Sequence, residues 1–131
     1  MATLTPKLTL TGTATDFGNA LNLAVTTSLT VDEPFVGISR ITATTTGNAS
    51  IIVPSVDIPR YVYIKHTGLN AAGSSSGTDK VHVETSDSST ILELKSGEFA
   101  FFPYYGEGAG LLQLETSANT VQVEYAYFTR G

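Results

Sequence analysis

Apolar and polar residues alternate along most of this chain. The alternation is clearest in residues 7–11, 61–66, 80–85, 91–95 and 120–128. Successive side chains of a β-strand point to opposite faces, so this period predicts strands with one buried and one exposed face. Clusters of Gly, Ser, Asn and Asp separate the strands, and no window shows convincing helical spacing. The pattern predicts an all-β fold, a single antiparallel β-sandwich of about eight to ten short strands.

The length fits one domain spanning residues 1–131, because 131 residues are enough for a single core and no linker divides the chain. Residues 1–30 are polar, rich in threonine and poor in aromatic residues. They are interpreted either as an extended arm donated to a neighbour or as an edge hairpin. Leu8 and Leu10 in this segment are candidate interface residues.

The composition excludes several classes of function. Only 15% of the residues are charged and the net charge is −5, with seven scattered basic residues, so a nucleic-acid partner is not expected. The chain has no cysteine, which removes disulfides and thiol chemistry. No apolar run reaches membrane-spanning length, and the first residues do not resemble a signal peptide. We therefore expect synthesis in a cytoplasm and no membrane partner.

The two histidines raise the question of a metal site. His66 and His82, with Glu84, invite comparison with the metal centre of cupins, which are also β-sandwiches. A cupin-like site needs closely spaced histidines and a third histidine that this chain lacks. We predict that both histidines face solvent and that the protein binds no metal or other cofactor.

The acidic residues of the last third raise the question of glycoside hydrolysis, which uses paired carboxylates. Several of them alternate with apolar residues, as on a solvated strand face, and the chain has no tryptophan to hold a sugar ring. Residues 73–77 (GSSSG) match the letters of the Gly-x-Ser-x-Gly nucleophile motif, but they lie in a predicted loop with no helix after it, which is not the setting that the motif needs. We predict no catalytic residue and no enzymatic activity. The acidic residues concerned are Glu93, Glu98, Glu107, Glu115 and Glu124.

Aromatic residues cluster in residues 99–105. Alternation predicts that Phe99 and Phe101 are buried on one face and that Phe102 points the other way, while Tyr104 and Tyr105 enter a loop. Aromatic side chains at a loop edge often anchor interfaces. Phe102, Tyr104 and Tyr105 are therefore candidate interface residues.

Three local features complete these predictions. Gly97 is expected at a positive φ in a tight hairpin turn at residues 95–98. Residues 70–79, rich in Gly and Ser, are expected to form a mobile loop. Pro34 argues against a central strand at that point.

Residues 61–128 carry a more specific pattern. YVYIK at 61–65 is followed by a strand with Val81 and Val83, by LKSGEFAFFP at 94–103 and by VQVEY at 121–125. This order resembles small β-sandwich virion proteins of tailed bacteriophages. The chain departs from their pattern at His66, where Asn is usual, at Ser96, where Pro is usual, and at 129–131, which replace an acidic end.

The resemblance covers about half of the chain and transfers no catalytic motif. It implies a jelly-roll-like sandwich located in a virion, as a capsid decoration or cement protein. The implied partners are other copies of the chain, expected as a trimer, and the major capsid protein or another virion protein. Two alternatives stay open: a carbohydrate- or receptor-binding module of a tail fibre, and, more distantly, a cupin-like enzyme.

Overall fold

The computed structural model describes residues 1–13, 21–46, 50–54, 57–106 and 110–131, without the side chains of residues 34–36. These residues form strands and no helix. The eleven strands are β1 (Ala2–Leu4), β2 (Lys7–Gly12), β3 (Leu21–Thr26), β4 (Leu29–Ala43), β5 (Ile51–Val53), β6 (Arg60–His66), β7 (Val81–Glu84), β8 (Thr90–Leu94), β9 (Phe99–Tyr104), β10 (Leu112–Thr116) and β11 (Val121–Arg130).

The strands form two sheets and a separate hairpin, and every pairing between them is antiparallel. The large sheet has five strands in the order β1-β4-β11-β6-β9, and the small sheet has four in the order β5-β10-β7-β8. Strands β2 and β3 pair only with each other within the described part of the chain. The prediction of an all-β, antiparallel, sandwich-like fold is confirmed.

The pairing of strands β4 to β11 is nested. Strand β4 lies beside β11, β5 beside β10, β6 beside β9 and β7 beside β8. Each nested pair belongs to a single sheet, and successive pairs alternate between the two sheets. The chain therefore crosses from one sheet to the other at almost every connection after β4.

The core lies between the two sheets and follows from the alternation within each strand. In β6 the side chains at positions 60, 62, 64 and 66 are buried, and those between them are partly exposed. The small sheet contributes Val81, Val83, Leu112 and Leu114, so that both sheets bury branched aliphatic side chains against each other, and the neighbouring polar residues Glu84 and Gln113 are buried as well. The fully buried members include Ile52, Val62, Ile64, Val81, Val83, Leu112, Leu114, Val121 and Val123.

Two predictions about connections are wrong. Strand β4 runs through Pro34 and lies inside the large sheet, but the register shifts there: Phe128 pairs with Phe35 and Thr129 with Asp32. The proline, which has no N–H to donate, thus falls at an irregularity of the ladder. The turn at residues 95–98 does not close a hairpin, because β8 and β9 belong to different sheets.

The positive φ expected at Gly97 is confirmed, at 83°. This turn is fixed to the neighbouring strand by backbone hydrogen bonds. The Gly97 N–H donates to the His66 carbonyl over 3.0 Å, and the His66 N–H donates to the Glu98 carbonyl over 2.9 Å. The turn therefore sets where β9 begins beside β6, which in turn decides which β9 side chains face the core.

Candidate docking surface

The hairpin of β2 and β3 has one wholly apolar face. Leu8 pairs with Val25, and Leu10 pairs with Leu23, so these side chains lie on the same side of the two-stranded ribbon. Leu21, opposite Gly12, extends the row. All five side chains are 39–48% exposed.

A hairpin of two strands is marginally stable in water unless its apolar face packs on something. The described part of this hairpin hydrogen-bonds to neither large nor small sheet as a strand. Its apolar face is therefore an incompletely covered surface. The candidate interface residues Leu8 and Leu10 lie on this face, in the segment that was predicted to be either an arm or an edge hairpin. Residues 14–20 of that segment lie outside the described residues.

The outer face of the large sheet is aromatic along β9. Phe99 is 61% exposed and Phe101 is 38% exposed, and both point away from the core. The ring of Phe101 stacks on that of Tyr61, with centroids 6.1 Å apart and planes at 17°. Arg130 lies over the other ring of this pair, with its guanidinium carbon 5.4 Å from the Tyr61 centroid.

This arrangement corrects the prediction for residues 99–102. Phe102 and Tyr104 pack against the core, whereas Phe99 and Phe101 are on the surface. Alternation fixes which residues share a face, but the side is fixed by pairing with β6: Phe102 pairs with Val62, which points inward. Burial raises the pKa of the Tyr104 hydroxyl.

Of the predicted loop aromatics, only Tyr105 is exposed, at 55%. Its hydroxyl is bonded to the Asp57 carboxylate, and this hydrogen bond, with the charge of Asp57, raises the pKa of Tyr105. Among the predicted interface residues, Leu8, Leu10 and Tyr105 are thus at the surface, while Phe102 and Tyr104 face inward.

An apolar groove joins the hairpin to the outer face of β9. Its volume is about 530 Å³, and it lies between Leu8 and Val25 on one side and Phe99, Phe101 and Pro103 on the other. A smaller hollow of about 230 Å³ continues it across the sheet beside Leu4, Pro6, Ile38, Tyr63, Ala126 and Phe128. The hairpin and the aromatic outer face thus form one continuous apolar surface, called here the docking surface.

The free edge of β9 is protected against strand addition. The His66 N–H bonds the Glu98 carbonyl, so by alternation the backbone of Phe99, Phe101 and Pro103 faces away from β6, toward the open edge. Proline has no N–H, and on an edge strand it interrupts the row of donors that a second strand would use. A partner is therefore expected on the faces of this region rather than along this edge.

The polar groups of the outer face bond among themselves. The Tyr63 hydroxyl donates to Glu124 Oε1 over 2.9 Å, and Arg40 Nε lies 3.9 Å from Glu124 Oε2. Burial, followed by the hydrogen bond to Glu124 and the charge of that carboxylate, raises the pKa of Tyr63. The carboxylate at the centre of this face is thus paired.

The outer face of the small sheet is charged instead of aromatic. Lys80 Nζ lies 3.0 Å from Glu93 Oε1, and His82 Nε2 lies 3.2 Å from Glu93 Oε2. The hydrogen bond from Lys80, and a smaller one from His82, lower the pKa of Glu93. His82 is therefore a partly exposed member of a surface ion-pair cluster.

The other histidine is placed differently from the prediction, because His66 is fully buried. Its Nδ1 accepts from the Gly68 N–H over 3.0 Å, so Nε2 carries the proton and donates to the Asp79 carbonyl over 2.9 Å. Both ring nitrogens are thus used to hold the loop after β6. Within the described ranges, no group of three metal-ligating side chains comes together.

That loop, at residues 70–79, is closed by hydrogen bonds, in contrast to the mobile loop predicted. Asn70 Oδ1 accepts from the N–H groups of Ala72 and Ser74, both over 3.0 Å. The Ser76 N–H donates to the Gly68 carbonyl over 2.9 Å. Local bonding of an asparagine side chain to its own turn is a familiar way to order a glycine-rich segment.

The loop borders a polar pocket of about 570 Å³ at one end of the sandwich. Asp79, 9% exposed, accepts at Oδ2 from Asn119 Nδ2 over 3.1 Å. The hydroxyl of the buried Ser76 has no hydrogen-bond partner among the described residues. The remaining lining residues are Thr44, Thr45, Asn70, Ser75, Gly77, Ala118 and Thr120.

No protein-family model matches this chain, and no curated protein matches it either. In the part of the chain that the structure describes, no helix is long and apolar enough to cross a membrane. The functional argument therefore rests on the surfaces described above and on the sequence pattern of residues 61–128.

Proposed function

We propose that this chain is a virion structural protein, a decoration protein that binds and stabilises the capsid shell of a tailed bacteriophage. The sequence pattern of residues 61–128 supports this setting. The observation that carries the role is the docking surface, where a marginal apolar hairpin and an aromatic sheet face are continuous. Contiguous exposed apolar patches on a small domain are typical of protein–protein contact sites.

We also infer that the sandwich is a jelly roll. The nested pairing of β4 with β11, β5 with β10, β6 with β9 and β7 with β8 supports this topology, because a jelly roll is a strand pair folded over into two sheets. Strands β1 to β3 precede this unit. Strands β2 and β3 supply the hairpin, so the hairpin half of the docking surface is an addition to the sandwich.

A non-catalytic role fits the use of the polar side chains. The buried His66 is committed at both ring nitrogens, and Glu93 and Glu124 are held in surface pairs. Glu107 lies outside the described residues. Of the groups considered for metal binding or sugar cleavage, His66, Glu93 and Glu124 thus have structural partners.

The test is binding to empty, undecorated shells assembled from the capsid protein of the same virus. We expect the chain to cosediment with the shells and to raise their melting temperature. Phe101→Asp, which places a charge on the aromatic face, should weaken binding at least about tenfold. Glu115→Gln on the opposite face is the matched control and should bind normally. Failure of the unaltered chain to sediment with shells at saturating concentration would reject the proposal.

A second candidate, a glycan-binding module, is favoured by the polar pocket alone. Its lining includes the carboxylate of Asp79 and the hydroxyls of Thr44, Thr45, Ser75 and Thr120, which are kinds of group that bond sugar hydroxyls. Retention of the chain on immobilised glycans, abolished by Asp79→Asn and unchanged by Phe101→Asp, would support this function. The two candidates are thus separated by opposite responses of the same two variants.

A further inference from the structure

We propose that the docking surface is an interface between copies of this chain, in which the hairpin of one copy covers the apolar groove of a second. This inference deepens the proposed function by naming one partner, and it rests on that function only for its setting in a virus particle. Self-association can be measured without shells. Its failure and a failure of shell binding are therefore separate results.

The chain presents both halves of such a contact. The hairpin offers an apolar row in which Leu8 and Val25 line the groove of their own copy, while Leu10, Leu21 and Leu23 are exposed and lie outside its lining. The groove beside it offers a recess of about 530 Å³ with aromatic walls at Tyr61, Phe99 and Phe101. Since each copy carries a ribbon and a recess, copies can satisfy each other and close, without leaving an unused apolar surface at either end.

The exposed area is of the size that a stable interface uses. Five hairpin side chains at 39–48% exposure, with Phe99, Phe101 and Ile38, expose on the order of 500 Å² of apolar surface. One partner of a standard interface buries about 800 Å², of which roughly 60% is non-polar. The docking surface alone therefore supplies the apolar part of one such interface.

Charge favours the same contact. The protein has a net charge of −5, so two copies repel each other unless they meet through a face without free carboxylates. Within the described part of the hairpin, Lys7 is the one charged residue. The nearby aromatic face carries Arg130, and its central carboxylate, Glu124, is paired with Tyr63 and Arg40.

The mode of contact is face to face. Pro103 interrupts the donors on the open edge of β9, which disfavours addition of a strand from another copy there. The apolar side chains of the hairpin and of β9 stand on strand faces, where packing buries them. We therefore expect association to depend on side chains and not on backbone pairing.

The first experiment is the mass of the purified chain by light scattering over a range of concentrations. We expect a closed assembly of two or three copies. The double variant Leu10→Ser, Leu23→Ser should weaken association at least about 100-fold, while its circular dichroism and sandwich melting remain those of a folded chain. Ile91→Ser, which alters an exposed apolar residue of the small sheet, is the control and should associate normally.

The second experiment identifies the contacting surfaces. The chain has no cysteine, so single variants Leu10→Cys and Phe99→Cys can be mixed and treated with a short bismaleimide. Cross-linked pairs containing one copy of each variant, and few pairs between Ile91→Cys and Phe99→Cys, would support the contact. Three outcomes would overturn it: a monomer at every concentration, no more cross-linking of Leu10→Cys with Phe99→Cys than of Ile91→Cys with Phe99→Cys, or association only when shells are added.

Discussion

The outer faces of the two sheets differ in chemistry: that of the small sheet is charged, and that of the large sheet is aromatic. The outer face of the small sheet carries a charged cluster, in which Glu93 contacts both Lys80 and His82. The outer face of the large sheet carries the aromatic rings of Tyr61, Phe99 and Phe101, beside the β2–β3 hairpin. Both sheets bury equivalent aliphatic residues on their inner faces. The difference therefore teaches that the inner faces determine the fold, while the outer faces determine what the protein contacts.

The largest expected effect on stability comes from the core that the two sheets share. Ile64→Ala in the large sheet and Leu114→Ala in the small sheet should each lower the free energy of unfolding by about 2–5 kcal/mol, since both side chains are fully buried. Urea denaturation measures both. A loss below about 1 kcal/mol in only one of them would mean that the two sheets do not contribute equally to one core.

A smaller effect separates the hairpin from the sandwich. In dilute solution, amide hydrogens of β2 and β3 should exchange at least about 100-fold faster than those of β6, because a two-stranded ribbon opens locally at low cost. Hydrogen exchange followed by mass spectrometry measures this difference. At high concentration the hairpin should gain protection as copies associate. Equal protection of hairpin and β6 in dilute solution would show that the hairpin is already fully packed.

The outer face of the large sheet should weaken in alkali. Because the pKa of Tyr63 is raised from 10.0, the neutral phenol stabilises the folded state below pH 10, and this contribution is lost as pH rises through the folded pKa. Tyr63→Phe should cost about 1 kcal/mol near neutral pH and progressively less above pH 10. Urea denaturation of both proteins, near neutral pH and above pH 10, measures this difference in the free energy of unfolding.

Tyr61→Phe is the control for this measurement, because it removes a hydroxyl from the same face and keeps the stacked ring. The cost of Tyr63→Phe is compared with that of Tyr61→Phe at each pH. A cost of Tyr63→Phe that stays constant into alkali would contradict the bond to Glu124.

The outer face of the small sheet should weaken in acid, with the smallest effect of the four. The pKa of Glu93 is lowered from 4.5, so its carboxylate stabilises the folded state above that pH, and the contribution is lost as pH falls through the folded pKa. Glu93→Gln should lower Tm slightly at neutral pH and should have no effect at an acidic pH well below the folded pKa of Glu93. Glu115→Gln, on β10 of the same sheet with β7 between it and β8, is the control. An equal effect of Glu93→Gln at both pH values would argue against the contacts of Glu93 with Lys80 and His82.

The sequence alone was sufficient to predict the strands, because period-two alternation depends only on residues that are close along the chain. It did not determine which side of a strand faces inward. Phe99 and Phe102 were assigned to opposite faces correctly, yet the inward one is Phe102, since the turn at Gly97 places β9 against β6 in that register. The apolar row of β3 is visible in residues 21–25, but its exposure depends on whether another layer packs on that face, which is a tertiary fact.

Polar residues were harder to place than apolar ones. His66 lies in a strand whose alternation already pointed it inward beside Val62 and Ile64, and that signal was outweighed by the usual exposure of histidine. The loop at residues 70–79 has the composition of a flexible segment, but its order comes from Asn70 and from His66, whose bonds are specific to the fold. Composition therefore described the surface chemistry well and the local order poorly.

The nested strand order also governs how the chain must fold. Strand β11 lies between β4 and β6, and Arg130 pairs with Val31 across nearly the whole sequence. Closing so long a loop costs conformational entropy before β11 takes its place at the centre of the large sheet. Topologies with such long-range pairings are typical of slow-folding domains. Until β11 arrives, the facing edges of β4 and β6 are open, and any extended segment of suitable pattern can compete for that position. We therefore expect correct folding to depend on β11 pairing with β4 and β6 before another segment does.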